Sequence, residues 1–477
     1  MNWKKWISIA AAVCLAVTAV PMRAVAQEEL LQEKMLEEIK EEIKEELKEE
    51  PKEEKEELKE EKEEKEEKEE LQEQSDEKIE PQEKSKKELL KGISLLMEGE
   101  NSTAVSGNEA ADFAGEGTEK NPYEIRNAED LKLLAEKVNG GEAYANTYFK
   151  LTANIDLNNE PNWTPIGKSR RPFQGTFDGG GHQIANLTIS NGGELVGLFG
   201  NVDDATIQNC NVTGEVNGYN QTGGIVGSAN ANTKIRNCSF QGDVEGTGAY
   251  VGGIVGNTSS GCEVSGCFVT GKVEGSESVG GIAGWGAGKI KNCYALADVT
   301  AAGNSAGGIA GYAFDVTITI ENCYYSGNVS AKNYNYAGGI AGTALGGTIQ
   351  NCVSLAESVT GGDLVNRIVG YVGSNANVTL TNNYSYNRTK LVINGKITYA
   401  DTDNADTAVG KNVFVSAGRV MTDVPNQTLF NWVGFDRTIW SIPTEAGKLP
   451  SLREGEYPDL PNLPSKDLTI DKTPQHF

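Results

Sequence analysis

The chain of 477 residues contains two histidines, His182 and His476. A zinc peptidase needs an H-E-x-x-H pair or a comparable ligand set, and two distant histidines cannot supply one. His182 follows three glycines and reads as a turn residue. Glycoside hydrolysis needs two carboxylates about 5–10 Å apart. The candidates are Asp203, Asp204, Asp243, Asp298 and Asp315. Asp203 and Asp204 are neighbours, which on a strand point to opposite faces, and the others are expected in different columns of the repeat. Asp401-Thr-Asp-Asn-Ala-Asp406 is acidic but is not an EF-hand loop. No catalytic residue, metal site or cofactor is assigned. What remains for function is binding, and the residues suited to it are aromatic: Trp285, Tyr312 and Tyr371, with Tyr294 and Tyr324.

These aromatics are positioned by an internal repeat. Gly-(Ile/Leu)-x-Gly begins at Gly197, Gly224, Gly253, Gly281, Gly308 and Gly339, with a degenerate copy at Arg367. Successive starts are 27, 29, 28, 27, 31 and 28 residues apart. Between them falls (Ile/Val)-x-(Asn/Gly)-Cys, ending at Cys210, Cys238, Cys267, Cys293, Cys323 and Cys352. Val216, Val244, Val273, Val299 and Val329 each follow six residues after a Cys. One repeat has too few apolar residues for a core of its own, so the units must stack. Short β-branched runs broken by Gly and Asn predict a parallel β-helix with one coil per repeat. Ile, Val and Cys point inward. Asn209, Asn237, Asn292, Asn322 and Asn351 share one bend, with their amides bonded along the axis, because Asn accepts turn conformations. The cysteines form an internal column of small hydrophobes and are expected to be unpaired. Cys262 lies outside that column and could reach Cys267.

Four residues after the first motif position, the series reads Asn201, Ser228, Asn257, Trp285, Tyr312, Thr343, Tyr371. Alternation puts this column on the outer surface. One residue after the Cys it reads Asn211, Ser239, Phe268, Tyr294, Tyr324, Val353, Tyr384. Both columns become aromatic in the second half, and exposed aromatics can hold sugar rings or anchor a protein.

The two motifs recurring in phase resemble the GLUG repeat, found in exported bacterial surface proteins and in the non-catalytic part of bacterial immunoglobulin-A proteases. The resemblance spans about 165–390. The lead-in Trp163-Thr-Pro-Ile-Gly and Phe173-Gln-Gly-Thr-Phe-Asp, and the tail from Val433 to Leu452, are similar to what flanks such arrays. The resemblance implies a right-handed β-helix, a place outside the cell and no common catalytic activity.

Composition agrees with export. The net charge is −25, the opposite of a nucleic-acid footprint. Lys4 and Lys5, the apolar run Ile7 to Val20 and Ala24-Val25-Ala26 have a signal-peptide layout. Residues 27–91 hold 29 acidic and 15 basic side chains, with Glu–Lys pairs at helical spacing. Met35, Ile39, Ile43 and Leu47, spaced by four, make a narrow stripe and not a 3-4 heptad seam, so coiled-coil pairing is poorly supported. A weak oligomerising helix over 29–50 is the lesser reading beside a solvated helix or disordered spacer. Asn127 can cap a helix over 128–138 whose apolar face is Leu131, Leu134 and Val138.

The expected layout is a signal peptide (1–26), a charged helical or disordered stalk (27–91), a linker (92–114), a small helical N-terminal cap with first coils (115–196), a repeat β-helix (197–390) and a C-terminal cap with an extended tail (391–477). The fold class is all-β, a right-handed parallel β-helix of about seven or more coils. The expected function is that of a secreted or cell-surface repeat protein, non-enzymatic and adhesive. It would bind a glycan or a host or cell-surface protein, without nucleic acid and without membrane insertion once the leader is removed. A passive envelope spacer and a glycan-active β-helix enzyme are the alternatives.

Overall fold

The computed structural model describes residues 113–398 except 159, 161, 191, 333–335, 363, 374–376 and 387–388, together with 419–421, 435–442 and 448–452. The leader, the charged segment, the Asp401–Asp406 loop and His476 lie outside the described residues.

Three parallel sheets wind into a β-helix of about nine turns. The first sheet stacks ten strands, from Tyr123–Ile125 to Val378–Thr381. Its inner column is the Ile of the Cys motif: Ile207, Ile235, Val264, Ile290, Ile320 and Ile349 pair in strict register. Each is 0–1% exposed. Flanking residues such as Lys234 and Arg236 point out, as a period of two requires. The second sheet carries Val216, Val244, Val273, Val299 and Val329, also in register and buried. The third sheet has seven strands, from Phe199–Asp203 to Val369–Val372, and is formed by the glycine motif.

The first and second sheets meet at the Asn bend. Asn209, Asn237, Asn292, Asn322 and Asn351 all have φ of 52–54°, the left-handed region that Asn tolerates better than most residues. Asn237 Nδ2 donates to Asn209 Oδ1 at 3.2 Å, and Asn209 Nδ2 to Asp178 Oδ1 at 2.9 Å. Asn322 Nδ2 donates to Asn292 Oδ1 at 3.4 Å. The ladder is interrupted at Gly266, whose φ is 62°.

The glycine motif is explained by a close approach. A Cβ on Gly224 would collide with the ring of Phe240, and one on Gly227 with the backbone nitrogen of Val196. The interior is pinched there. Cys210, Cys238, Cys267, Cys293, Cys323 and Cys352 are buried and unpaired, as is Cys262. From Cys238 onward, each column thiol lies 3.2–3.4 Å from the carbonyl two residues earlier. Cys262 instead lies 3.3 Å from the carbonyls of Ala229 and Ala231. Burial pushes the Cys210 thiol up to about 12 and also raises Cys323.

Helix α1 spans Ala128–Gly140. Asn127 accepts the Asp130 amide, and the helix runs two residues past the expected 138 before Gly141, with φ 121°, ends it. Leu131, Leu134 and Val138 are fully buried and continuous with the β-helix core. Near the C-terminal end, Lys390–Ile393 and Lys396–Thr398 form an antiparallel hairpin across Asn394-Gly395, both at positive φ. This is the favoured two-residue hairpin turn, and it covers part of an otherwise open strand edge.

Candidate functional site

The column of the third sheet forms in register, but Asn201, Ser228 and Thr343 in it are buried rather than on the outer surface. Asn201, Ser228, Asn257, Trp285, Tyr312, Thr343 and Tyr371 lie in one line of strand register. Its two ends differ in kind. At one end Asn230 Nδ2 donates to Asn201 Oδ1 at 2.8 Å, and Asn257 Nδ2 to Ser228 Oγ at 3.3 Å. Next in line, Trp285 and Tyr312 stack at 4.8 Å with their planes 5° apart. Both are half-buried.

Two further rings join them, and a separate pair lies farther along the column. Tyr250 meets Trp285 edge-on at 4.9 Å, and Phe314 lies 4.7 Å from Trp285. Tyr336 stacks on Tyr371 at 4.7 Å. Phe314 is 48% exposed and Val316 71%, so the cluster opens to solvent. Burial raises the Tyr250 phenol, with a further push from Glu277, and burial beside Tyr371 raises Tyr336. Both remain neutral donors at physiological pH. Phe314 lies two residues after Tyr312, just past the end of the strand Ala310–Ala313. Tyr250 is at φ 65° on a bend, and column counting does not reach it.

The second aromatic column forms, but it is not a free surface. Phe268, Tyr294 and Tyr324 stack at 5.0 and 4.9 Å, within 4° of parallel. The C-terminal segment covers the stack: Trp440 lies 6.1 Å from Tyr294 and 5.7 Å from Tyr324. Tyr294 is 4% exposed and Tyr324 fully buried. These two tyrosines therefore leave the candidate ligand face, because their rings form a second core with Phe435, Trp440, Ile442 and Leu449. Residues 435–442 and 448–452 thus pack on the flank of the middle coils, where an end plug had been expected.

The carboxylates need one correction. Asp243, Lys272 and Asp298 share one outer column of the second sheet. With coils about 4.8 Å apart, the two aspartates stand roughly 10 Å apart. Lys272 lies between them, and Asp298 Oδ1 accepts both the backbone and side-chain nitrogens of Asn328 at 3.0 Å. They line none of the described clefts. Among the described residues, no group of three or more His, Cys, Asp or Glu could hold a metal ion. No described helix is long and apolar enough to cross a membrane.

A parallel β-helix with phased glycine and Asn-Cys motifs defines a class, and the comparisons name it. The GLUG motif matches residues 218–245 and 275–300, two of the repeats. A crystal structure described as a candidate immunoglobulin A1 protease from Bacteroides ovatus is 25% identical with a TM-score of 0.50. The similarity covers 72% of this chain and 95% of that one. Halomucin of Haloquadratum walsbyi is 36% identical over 152 residues, and a candidate Gly-rich membrane protein of Evansella cellulosilytica 32% over 125. Those alignments cover 28% and 25% of this chain, and only 2% and 14% of the respective relatives.

Proposed function

We propose that this is an exported, non-enzymatic surface protein that binds a glycan through the outer aromatic face of the third sheet. The observation that carries the reading is the half-exposed cluster of Trp285, Tyr312, Tyr250 and Phe314, with Tyr371 beside Tyr336. Rings on a rigid sheet give contact area at little entropic cost. The half-buried Asn230 and Asn257 continue the same line of strands, with their amide nitrogens held by Asn201 and Ser228. The signal-peptide layout of 1–26 and the charged segment 27–91 support a place outside the cell, with the β-helix held away from a surface. A relative described as a membrane protein agrees with that setting.

The experiment is a glycan-array screen of the leader-free chain beside Trp285→Ala/Tyr312→Ala. The reading expects glycans that bind the unaltered chain and are lost in the variant. A chain that binds nothing would favour a protein receptor or a passive spacer. Released sugar fragments would favour the enzyme.

A further inference from the structure

A second cleft, of about 610 Å³, lies on a different face, between the Asn bend and the C-terminal segment. Its walls include Phe268, Asn237, Asn292, Arg236, Glu263 and Lys291. Two regular series break off inside it, in the same coil.

The first is the aromatic stack. Phe268 lies against Tyr294 on one ring face. On its other side, the next residue in register is Ser239, whose hydroxyl donates to Asn211 Oδ1 at 2.9 Å. Among the described residues no other ring stacks on that side of Phe268, and Ser239 there is itself buried. The second series is the amide ladder. At Gly266 the ladder has no side chain, so Asn237 Oδ1 receives no amide from the following coil. Asn292 Nδ2 likewise finds no amide oxygen in the preceding one. An acceptor and a donor therefore face each other across one coil. Both side chains line the cleft, whose wall also holds Ile439 and Leu452. Asn292 is only 7% exposed, and its oxygen already accepts from Asn322 and Trp440.

The charges beside them are unusual for this acidic chain. Glu263 is held by Arg236 at 3.0 Å and by Lys291 at 3.1 Å. Both cations are well exposed, at 40% and 37%, and each keeps unused N–H donors. The trio carries a net positive charge. Lys234 and Lys289 flank Glu263 in the strand register and extend the basic strip.

From these features we infer a binding site for a hexuronate, a pyranose ring bearing a carboxylate. The sugar ring packs on the part of the Phe268 ring that borders the cleft. Its hydroxyls bridge Asn237 Oδ1 and Asn292 Nδ2. Its carboxylate lies against Arg236 and Lys291, where charge-assisted hydrogen bonds are strong. A neutral hexose fills the ring position but leaves the cations unanswered. The site shares no residue with the face built around Trp285.

The test titrates the leader-free full chain with methyl β-D-glucuronide and with methyl β-D-glucoside, followed by saturation-transfer NMR. The expected preference for the glucuronide is about tenfold, the scale of one charge-assisted hydrogen bond. Phe268→Ala should abolish binding of both sugars. Arg236→Gln/Lys291→Gln should bring the glucuronide down to the glucoside level. Gly266→Asn restores the missing rung at a backbone angle that Asn already adopts in five neighbouring coils. The added Cβ lies 2.6 Å from Asn237 Oδ1, a side-chain tip that can shift. This variant should lose the sugar while melting no lower than the parent, which separates site closure from unfolding. Absence of glucuronide binding in the unaltered chain, or undiminished binding in Phe268→Ala or Gly266→Asn, would overturn the proposal.

Discussion

The Tyr324 hydroxyl donates to the carbonyl of Pro450 at 2.7 Å, joining residues 126 positions apart. The bond is buried and pins the C-terminal segment over the stack of Tyr294 and Tyr324. It turns one aromatic column into core and leaves the other as the outer face. Tyr324→Phe keeps the ring and removes the donor, leaving a buried carbonyl without its partner. The expected cost is about 1–2 kcal/mol, borne mainly by this segment. Limited proteolysis should cut around 435–452 faster in the variant, with the repeats still resistant. Identical cleavage patterns would show that the contact does not hold the segment.

The Asn bend predicts an ordering of two substitutions. Asn209 has φ 52°, donates to Asp178 and accepts from Asn237. Asn209→Ala loses the hydrogen bonds and adds left-handed strain, together about 2–3 kcal/mol. Asn209→Gly loses the bonds but not the backbone freedom. Urea denaturation should rank the parent above the glycine variant and the glycine variant above the alanine one. Equal destabilisation by the two variants would remove backbone strain from the explanation.

How much of this could be read from sequence depends on whether a feature repeats. Ile207, Asn209 and Cys210 recur by chemical type at fixed offsets, so the coil, the bend and the thiol column were legible. Trp285 and Tyr312 were legible for the same reason. The cover over Tyr294 and Tyr324 was not, because Pro450 and Trp440 come from outside the repeat. Asp243 and Asp298 each lie five residues after a Cys, so their shared column was present in the sequence. Counting from the glycine motif hides it, because coil lengths vary.

Acid should weaken the fold through identifiable carboxylates. Burial acts to raise the Asp178 carboxyl, but hydrogen bonds from Asn209, Gly180 and Gln208 outweigh it and hold it below its ordinary value of 3.8. The hydrogen bond from Arg126 does the same for Asp130. A native value below the unfolded one stabilises the fold fully above pH 3.8. That contribution is lost as pH falls through the native value. Denaturation midpoints should therefore drop below about pH 4, and Asp178→Asn should reduce that drop. An unchanged acid limb in the variant would take Asp178 out of the account.

The seven described cysteines are buried and unpaired, and thiolates, not thiols, react with disulfide reagents. The leader-free native chain should therefore release no colour from an aromatic disulfide reagent over minutes. Seven equivalents should react after unfolding in guanidinium without reductant. Fewer than seven would reveal a disulfide, and prompt native reaction would contradict the buried column.

The most direct test of the central claim is glycan-array binding of the leader-free chain and of Trp285→Ala/Tyr312→Ala, with thermal melts of both. The outer aromatic face predicts specific glycans bound by the parent and lost by at least about tenfold in the variant, a change of one decade or more in affinity. The variant should still unfold cooperatively. Equal binding by the two proteins, or a parent that binds no glycan, would contradict it.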